Sequence, residues 1–302
     1  MNSTGNGRPA IAERVVTANG IRFHLLEAGV GPLVLCLHGF PDHARSFRPL
    51  LERLAAAGFR GVAPNMRGFW PTEPAPDGCY QGWATGGDAV ALIEALGETR
   101  AAGLVGHDWG AVAAYAAARL APARIDRLVA MSVPEGGRLG EALIRDGDQQ
   151  KRSWYMFFFQ MAVAGRALAV DDFALVDRLW RDWSPGYALP EEEREALKRM
   201  FRQPGVPERL LAYYRQSFSP AASRPEWAEP AARLRGPITV PTLYLHGQDD
   251  GCIGADVAQG MDAGFASGLD TAVVAGAGHF LQLEQPDEVA ARILAFLEPP
   301  GR

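Results

Sequence analysis

One short segment decides the fold: Ala102-Gly103-Leu104-Val105-Gly106-His107-Asp108-Trp109-Gly110-Ala111. It is an apolar run that ends in an acid and leads into an alanine-rich stretch with helical character. Gly106 and Gly110 stand two residues before and two after Asp108, and small residues there permit a sharp turn from strand to helix. The pattern predicts that Asp108 is held in a strained backbone and aimed out of a sheet as a nucleophile. A helix N-cap is the alternative for an acid in this place.

The segments around this turn alternate between strand and helix patterns. Residues 33–37 form a continuous apolar run, as expected for a strand covered on both faces. Asn19-Gly20 lies between two apolar stretches and predicts a hairpin. Further strands are predicted at 59–63, in the apolar run from 102 that ends at Asp108, and at 127–133, 242–246 and 271–274, and helices at 46–57, 85–96, 111–120, 255–266 and 286–297. The alternation predicts an α/β fold with a doubly wound, mostly parallel sheet and helices on both faces.

The alternation stops between residues 135 and 234, where only helical patterns occur. They cover 152–168, 172–183, 191–202 and 207–216, and this part of the chain holds four of the seven tryptophans. We therefore predict a helical cap, or lid, at 135–234, inserted into a discontinuous core formed by 1–134 and 235–302. The loop at 65–80 is rich in proline and glycine, and the sequence leaves its role open.

Composition narrows the classes of partner. The chain has 302 residues, of which 48% are hydrophobic and 22% charged, with a net charge of -5. These values favour a globular protein and disfavour nucleic acid or an anionic membrane as a partner. Residues 1–7 lack an export signal, and the three cysteines have no metal-ligand spacing. We expect a cytoplasmic protein without a metal or cofactor, and a homodimer remains an open alternative.

Four loops that contain candidate catalytic residues follow predicted parallel strands. They are His38-Gly39-Phe40-Pro41, the loop around Asp108, His246-Gly247-Gln248-Asp249-Asp250-Gly251 and Gly276-Ala277-Gly278-His279-Phe280. Open α/β sheets bind ligands at the carboxyl ends of their strands. The order nucleophile, acid, histidine is that of a hydrolase triad on such a sheet, and the acid is Asp249 or Asp250. The backbone N–H groups of Phe40 and Trp109 would form an oxyanion hole, and Pro41 is a candidate for a cis bond.

As a set, these motifs resemble the α/β-hydrolase superfamily, and within it the epoxide hydrolase branch. The resemblance extends from about residue 15 over nearly the whole chain. It implies a triad of Asp108, Asp250 and His279, and it selects Asp250 over Asp249. It also implies two lid tyrosines that stabilise the opening epoxide oxygen, which match Tyr155 and Tyr214. Tyr213 competes for the second position.

The resemblance implies a cofactor-independent reaction in which an epoxide and water give a vicinal diol. A carboxylate attacks an sp3 carbon without first losing a proton, and the ester that results is open to hydrolysis. The aromatic lid suggests an apolar, aryl-substituted epoxide. The residues predicted to contact it are Phe40, Trp109, Trp154, Phe159 and Phe280.

Two alternatives remain at this point. A haloalkane dehalogenase would use the same triad, but it needs two N–H side chains around a halide, and Phe40 has none where the second is expected. Glu135, which follows a strand, would be an alternative triad acid. The helix after Asp108 lacks the arginines of a fluoroacetate dehalogenase until Arg119. The second alternative is a ligand-binding protein on the same fold that no longer catalyses a reaction.

Overall fold

The computed structural model describes residues 9–219 and 224–298. In these ranges, eight strands form one sheet in the order β1-β2-β4-β3-β5-β6-β7-β8. The strands are β1 (Ala12–Ala18), β2 (Ile21–Ala28), β3 (Leu33–Leu37), β4 (Arg60–Pro64), β5 (Gly103–His107), β6 (Leu128–Met131), β7 (Thr242–Gly247) and β8 (Leu269–Val274). Strands β3 to β8 pair in parallel, whereas β2 is antiparallel to both β1 and β4. The predicted fold class is confirmed.

Helices cover both faces of this sheet. They are α1 (Arg48–Ala56), α2 (Gly82–Ala95), α3 (Trp109–Leu120), α4 (Arg138–Arg145), α5 (Gly147–Arg152), α6 (Trp154–Phe159), α7 (Ala164–Leu168), α8 (Ala174–Trp183), α9 (Glu191–Phe201), α10 (Val206–Phe218), α11 (Ala228–Ala232), α12 (Leu281–Glu284) and α13 (Pro286–Leu297). Side chains of α2 and α3 pack on one face, and those of α1 and α13 on the other.

Strand β3 shows why its sequence lacks alternation. Leu33, Leu35 and Leu37 belong to the hydrophobic cluster on the face of α2 and α3, while Val34 and Cys36 belong to the cluster on the opposite face. Successive side chains of a strand point to opposite faces, so a strand covered on both sides must be apolar throughout. The hairpin is also present, because Asn19 and Gly20 both take positive φ, as a type I′ turn requires.

Two helix predictions differ from the structure, and one longer helix was not predicted. The helix predicted at 255–266 is wrong: two 3-10 turns, Ala255–Ala258 and Met261–Gly264, occupy this stretch. Gly260 lies between them with φ +73° and interrupts the helical backbone. The helix predicted at 152–168 is divided between α6 and α7. Helix α4 was missed because it has no fully buried residue and follows two glycines with positive φ.

The helices between β6 and β7 bind to the sheet domain through polar contacts. The Trp180 indole N–H donates to the Pro41 carbonyl at 2.8 Å, and Arg45 pairs with Glu192 and Glu193 at the start of α9. The limits 135–234 of a separate cap remain a prediction. Residues 1–8, which include the stretch without an export signal, and residues 220–223 and 299–302 lie outside the described residues. Among the helices that are described, none is long and apolar enough to cross a membrane.

Candidate active site

Asp108 forms the turn between β5 and α3. Its backbone has φ +54° and ψ −120°, a combination that non-glycine residues rarely adopt. A methyl group at Gly110 would overlap the carbonyl of Leu37, and one at Gly106 would overlap the carbonyl of Gly110, so the turn requires both glycines. The Asp108 side chain makes no N-cap hydrogen bond, which argues against the capping alternative. The strained backbone instead presents the carboxylate above the sheet.

The two oxygens of the Asp108 carboxylate have different neighbours. Oδ1 accepts the backbone N–H of Phe40 at 2.7 Å. Oδ2 lies 3.6 Å from Nε2 of His279. Trp109 is the first residue of α3, and the first N–H groups of a helix have no partner within it. The carboxylate therefore lies between the Phe40 N–H on one side and the His279 imidazole on the other. The Phe40–Pro41 peptide bond is cis, as the sequence suggested.

His279 contacts the second acid. Its Nδ1 lies 2.9 Å from Oδ2 of Asp250. The other oxygen of Asp250 accepts the backbone N–H groups of Cys252 and Ile253, at 2.7 and 2.9 Å. Asp249 is exposed, whereas Asp250 is buried. The ends of β5, β7 and β8 thus bring together the three residues of the predicted triad.

The charges of this cluster support one another. Burial opposes ionisation of Asp250, but His279 and His246 together outweigh it and hold the pKa of the carboxyl well below its ordinary value. Burial also opposes protonation of His279, but its neighbours, led by Asp250 and including Asp108, together outweigh it, and the pKa of the imidazole is raised well above its ordinary value. A protonated His279 between two carboxylates follows from these shifts.

Three neighbouring tyrosines differ in what their hydroxyls contact. The Tyr155 hydroxyl lies 3.2 Å from Sγ of Cys252. The Tyr213 hydroxyl donates to the backbone carbonyl of Arg67 at 2.9 Å. The buried Tyr214 hydroxyl has no hydrogen-bond partner among the described residues. Burial raises the pKa of both Tyr155 and Tyr214 well above the ordinary value, and the negative charge of Asp108 adds to both shifts. Tyr155 and Tyr214 therefore lie within the electrostatic reach of Asp108.

A largely apolar cavity of about 210 Å³ opens beside Asp108. Its lining residues are Asp108, Trp109, Val112, Val133, Leu139, Met156, Tyr214, Ser217, Phe218 and Ile253. Phe40 and Phe159 lie behind Tyr214, with ring centroids 5.3 and 5.1 Å from it.

Trp154 and Phe280 are not among the residues that line this cavity. Trp154 packs against Phe158 and under Arg178. Phe280 is fully buried and stacks on Trp180 at 3.4 Å between ring centroids. Of the five residues predicted to contact substrate, the cavity therefore has Trp109 in its wall, with Phe40 and Phe159 immediately behind it.

Comparison with known proteins agrees with this geometry. The family model described as alpha/beta hydrolase fold matches residues 32–286. An epoxide hydrolase of Caballeronia sordidicola is 31% identical, over 95% of this chain and 94% of the relative. The chain belongs to the epoxide hydrolase branch of the α/β-hydrolase superfamily.

Solved structures of this branch superpose over nearly the whole α/β-hydrolase chain. An epoxide hydrolase from Vigna radiata has a TM-score of 0.78 and 27% identity, covering 95% of this chain and 98% of its own. A mutant epoxide hydrolase from Bacillus megaterium, complexed with a naphthyloxy-propane-diol product, has a TM-score of 0.80 and 26% identity, covering 94% and 99%.

Sequence reasoning missed the groups that hold the His279 backbone in this α/β-hydrolase. The His279 carbonyl accepts hydrogen bonds from Ser132 Oγ and from His107 Nε2, both at 2.8 Å. Its N–H donates to the carbonyl of Trp183 at the end of α8. The position of His107 beside Asp108 was the only signal for this contact. No sequence pattern around Ser132 indicated its contact with the His279 carbonyl. The fold sets the backbone conformation of Ser132, which has φ +67°.

Two other residues with unassigned chemistry have partners. Glu135 forms an ion pair with Arg119 on α3. His246 places Nε2 3.3 Å from Oδ2 of Asp250 and 2.9 Å from the carbonyl of Ile253. Glu135 is therefore engaged away from His279, and His246 is a further neighbour of the second acid.

Proposed function

We propose that this protein converts an apolar, aryl-substituted epoxide to a vicinal diol through a covalent ester on Asp108. The observation that carries the proposal is the Asp108 carboxylate, held on a strained turn with one oxygen on the Phe40 N–H and the other facing His279. A carboxylate is already a nucleophile at neutral pH and needs no base to activate it. The hydrolysis of the ester that it forms does need a base, and His279 with Asp250 supplies one.

In the first half-reaction, Oδ2 of Asp108 is the attacking atom, because Oδ1 already accepts the Phe40 N–H. A bond forms between Oδ2 and an epoxide carbon as the bond from that carbon to the ring oxygen breaks. The ring oxygen keeps the electron pair and takes a proton from a tyrosine. Tyr155 and Tyr214 are the donors in this step, since both lie within reach of the Asp108 charge.

In the second half-reaction, water hydrolyses the ester. Oδ1 becomes the carbonyl oxygen of the ester, and the N–H groups of Phe40 and Trp109 stabilise the negative charge that it gains. His279 first passes its own proton, through water, to the tyrosinate left by ring opening, and the neutral imidazole then takes the proton of the attacking water. Ester formation removes the charge of Asp108, one of the causes that raise the pKa of His279, so the imidazole becomes a better general base once it is needed.

The cavity supports an apolar substrate of limited size. Most of its lining side chains are aliphatic or aromatic, and its volume of about 210 Å³ suits one aromatic ring with a short epoxide-bearing chain. The Bacillus megaterium relative holds a naphthyloxy-propane-diol, which is an aryl-substituted diol of the expected product class. The helices at 135–234 would act as the lid of this cavity.

One observation favours haloalkane dehalogenation as a second candidate. The indole Nε1 of Trp109 is buried without a hydrogen-bond partner among the described residues, and Trp109 lines the cavity, so it offers one donor to a halide. Phe40, where the second donor is expected, presents only an aromatic ring. A tyrosine pair suits an epoxide oxygen better than a halide, so epoxide hydrolysis is the stronger proposal.

A trapping experiment tests the mechanism. His279→Gln incubated with styrene oxide should gain the mass of one substrate on Asp108, as measured by intact-protein and peptide mass spectrometry. Asp108→Ala should gain no mass and form no diol. The mechanism would be wrong if no adduct formed in His279→Gln while Asp108→Ala kept full activity. Release of bromide from 1-bromobutane, with styrene oxide left unchanged, would favour the dehalogenase instead.

A further inference from the structure

The buried thiol of Cys252 contacts the hydroxyl of Tyr155. The two atoms are 3.2 Å apart, and both residues are fully buried. Sγ is within hydrogen-bonding distance of this hydroxyl. Of the two tyrosines whose pKa the Asp108 charge raises, one is therefore held by a thiol, while the hydroxyl of the other, Tyr214, is not satisfied by any group within residues 9–219 and 224–298.

The position of the thiol is fixed by its own backbone. The Cys252 N–H donates to Oδ1 of Asp250 at 2.7 Å, and its carbonyl accepts Nε2 of Gln149 at 2.9 Å. Gln149 also accepts the N–H of Gly254 at 3.0 Å and belongs to α5. The residue that touches Tyr155 is thus anchored both to the triad acid and to the helical segment. A residue held on both sides has little freedom to lose when it orders a neighbour.

We propose that Cys252 is a positioning residue for ring opening, which holds the Tyr155 hydroxyl and donates its S–H to the phenol oxygen as Tyr155 gives its proton to the epoxide. This inference rests on the proposed function and deepens it. Asp108 forms its bond to carbon, the ring oxygen keeps the electron pair of the broken bond, and the Tyr155 proton moves to that oxygen. The proton that His279 carries in the free protein reaches the phenolate through water before the ester is hydrolysed.

The hydrogen-bonding capacity of the two groups supports this assignment. A phenol has a single O–H, so Tyr155 cannot donate to the epoxide and to sulfur at once. With its own proton directed at the epoxide, the phenol oxygen can only accept from Cys252. Burial raises the pKa of the Cys252 thiol, which keeps the S–H proton in place at neutral pH.

Burial also explains why the contact between Cys252 and Tyr155 should affect the rate of ring opening. Burial, with the charge of Asp108, raises the pKa of Tyr155 well above its ordinary value, so negative charge on the phenol oxygen is costly in this pocket. A donor to that oxygen stabilises the charge that develops as the ring opens. The Asp108 ester contains no phenolate in its hydrolysis step, so the thiol should affect ester formation and leave ester hydrolysis unchanged.

Single-turnover kinetics of Cys252→Ala test the proposal. Rapid quench with styrene oxide, followed by mass spectrometry of the Asp108 ester, separates formation of the ester from its hydrolysis. We expect ester formation to slow by about fivefold, the size of one modest hydrogen bond, with hydrolysis unchanged. Cys252→Ser, which keeps a donor, should recover most of the rate. Cys79→Ala removes another buried sulfur, from a small cluster with Trp227, and should change neither step.

The same substitution made in a Tyr155→Phe protein separates a positioning role of Cys252 from a general effect on packing. In Tyr155→Phe, Cys252→Ala should cause no further slowing, because the two changes remove the same interaction. Equal rates of ester formation in wild type and Cys252→Ala, or a loss shared by both steps that Cys252→Ser does not recover, would overturn the inference. If wild type formed no ester at all, the proposed function itself would fail, and that outcome is distinct from normal ester formation in Cys252→Ala.

Discussion

The sheet side and the helical side of the active site are built differently. On the sheet side, Asp108, Asp250 and His279 are each hydrogen-bonded by groups from neighbouring loops. On the helical side, Tyr155 contacts a thiol, whereas the Tyr214 hydroxyl has no hydrogen-bond partner in the part of the chain that the structure describes. Fixed charges must be oriented before the reaction starts, whereas groups that receive the substrate need free hydrogen-bonding capacity. In the proposed mechanism, the difference separates the groups that hold the catalytic charge from the groups that meet the epoxide.

The largest effect should come from the sheet side. Asp250→Asn places an amide against Nδ1 of His279 and favours the wrong tautomer, so ester hydrolysis should slow by about 1000-fold or more. Ester formation should change little, because Asp108 needs no base. Rapid quench should therefore show the ester accumulating to nearly one per protein. Equal slowing of both steps would mean that the two sides are not chemically separate.

A second effect is expected where the two sides meet, at Asp42. This buried carboxyl accepts the Ser46 hydroxyl through Oδ2 at 2.6 Å, and its Oδ1 has no hydrogen-bond partner among the described residues but lies 3.7 Å from Nδ1 of His43. Burial raises its pKa from 3.8 to about 7, and the charges of Asp108 and Glu193 add to the shift. The folded protein keeps this proton up to about pH 7 while the unfolded chain loses it near pH 4, so stability falls as pH rises through that window.

Asp42→Asn stays neutral at every pH and should remove this dependence. We expect the variant to match wild type near pH 4 and to exceed it above pH 8, by up to about 4 kcal/mol in the free energy of unfolding. Urea unfolding at a series of pH values measures the difference. A constant offset across the series would show that Asp42 is ionised in the folded protein throughout.

The helical side should give a smaller kinetic effect. Tyr214→Phe removes one donor to the ring oxygen, and ester formation should slow by about 10- to 100-fold with hydrolysis unchanged. The adjacent Tyr213→Phe is a matched control. It loses the hydrogen bond to the Arg67 carbonyl, which should lower stability by about 1 kcal/mol and leave ester formation as in wild type. A larger kinetic loss in Tyr213→Phe would exchange the roles of the two tyrosines.

The smallest expected effect concerns the packing of α2 against α3, on one face of the sheet. Gly86 and Gly87 are neighbours in α2, but a methyl group at Gly86 would press on Ala116 and Ala117 of α3, while one at Gly87 meets open space. Gly87→Ala should raise the free energy of unfolding by about 0.5–1 kcal/mol through helix propensity. Gly86→Ala should lower it by about 1–3 kcal/mol. Thermal unfolding of both variants checks the signs, and a stabilised Gly86→Ala would mean that α2 moves freely over α3.

The sequence predicted the sheet side of the site better than the helical side. Three parts of the sheet side are each built from a few consecutive residues, so a local sequence pattern can predict their geometry. They are the turn at Asp108, the loop at Phe40 and the loop at His279. The contacts of Tyr155 and Tyr214 depend on how α6 and α10 pack on the sheet, over distances of about a hundred residues in sequence. No local pattern encodes such packing, and this is why Trp154 and Phe280 were assigned to the substrate and lie elsewhere.

The same reasoning explains the errors in the helices. Asn19-Gly20 and the proline that begins α13 are short-range signals, and the structure agrees with both. The stretch from 255 to 266 has helix-compatible residues but contains Gly260, whose positive φ is set by its surroundings. The partners of the His279 carbonyl, Ser132 and His107, come from two other strand ends, and only the folded chain brings them together.

The contact between the Phe40 N–H and Oδ1 of Asp108 has a consequence for chemical probes. Phosphonate and boronate reagents that label serine hydrolases need a hydroxyl nucleophile and an empty oxyanion hole for the oxygen they bring. Here the nucleophile supplies its own oxygen to the hole before any ligand arrives. Such reagents should leave this protein unlabelled, so a proteome treated with them would not reveal it, whereas an epoxide probe should mark the His279→Gln variant at Asp108, because the ester is not hydrolysed there.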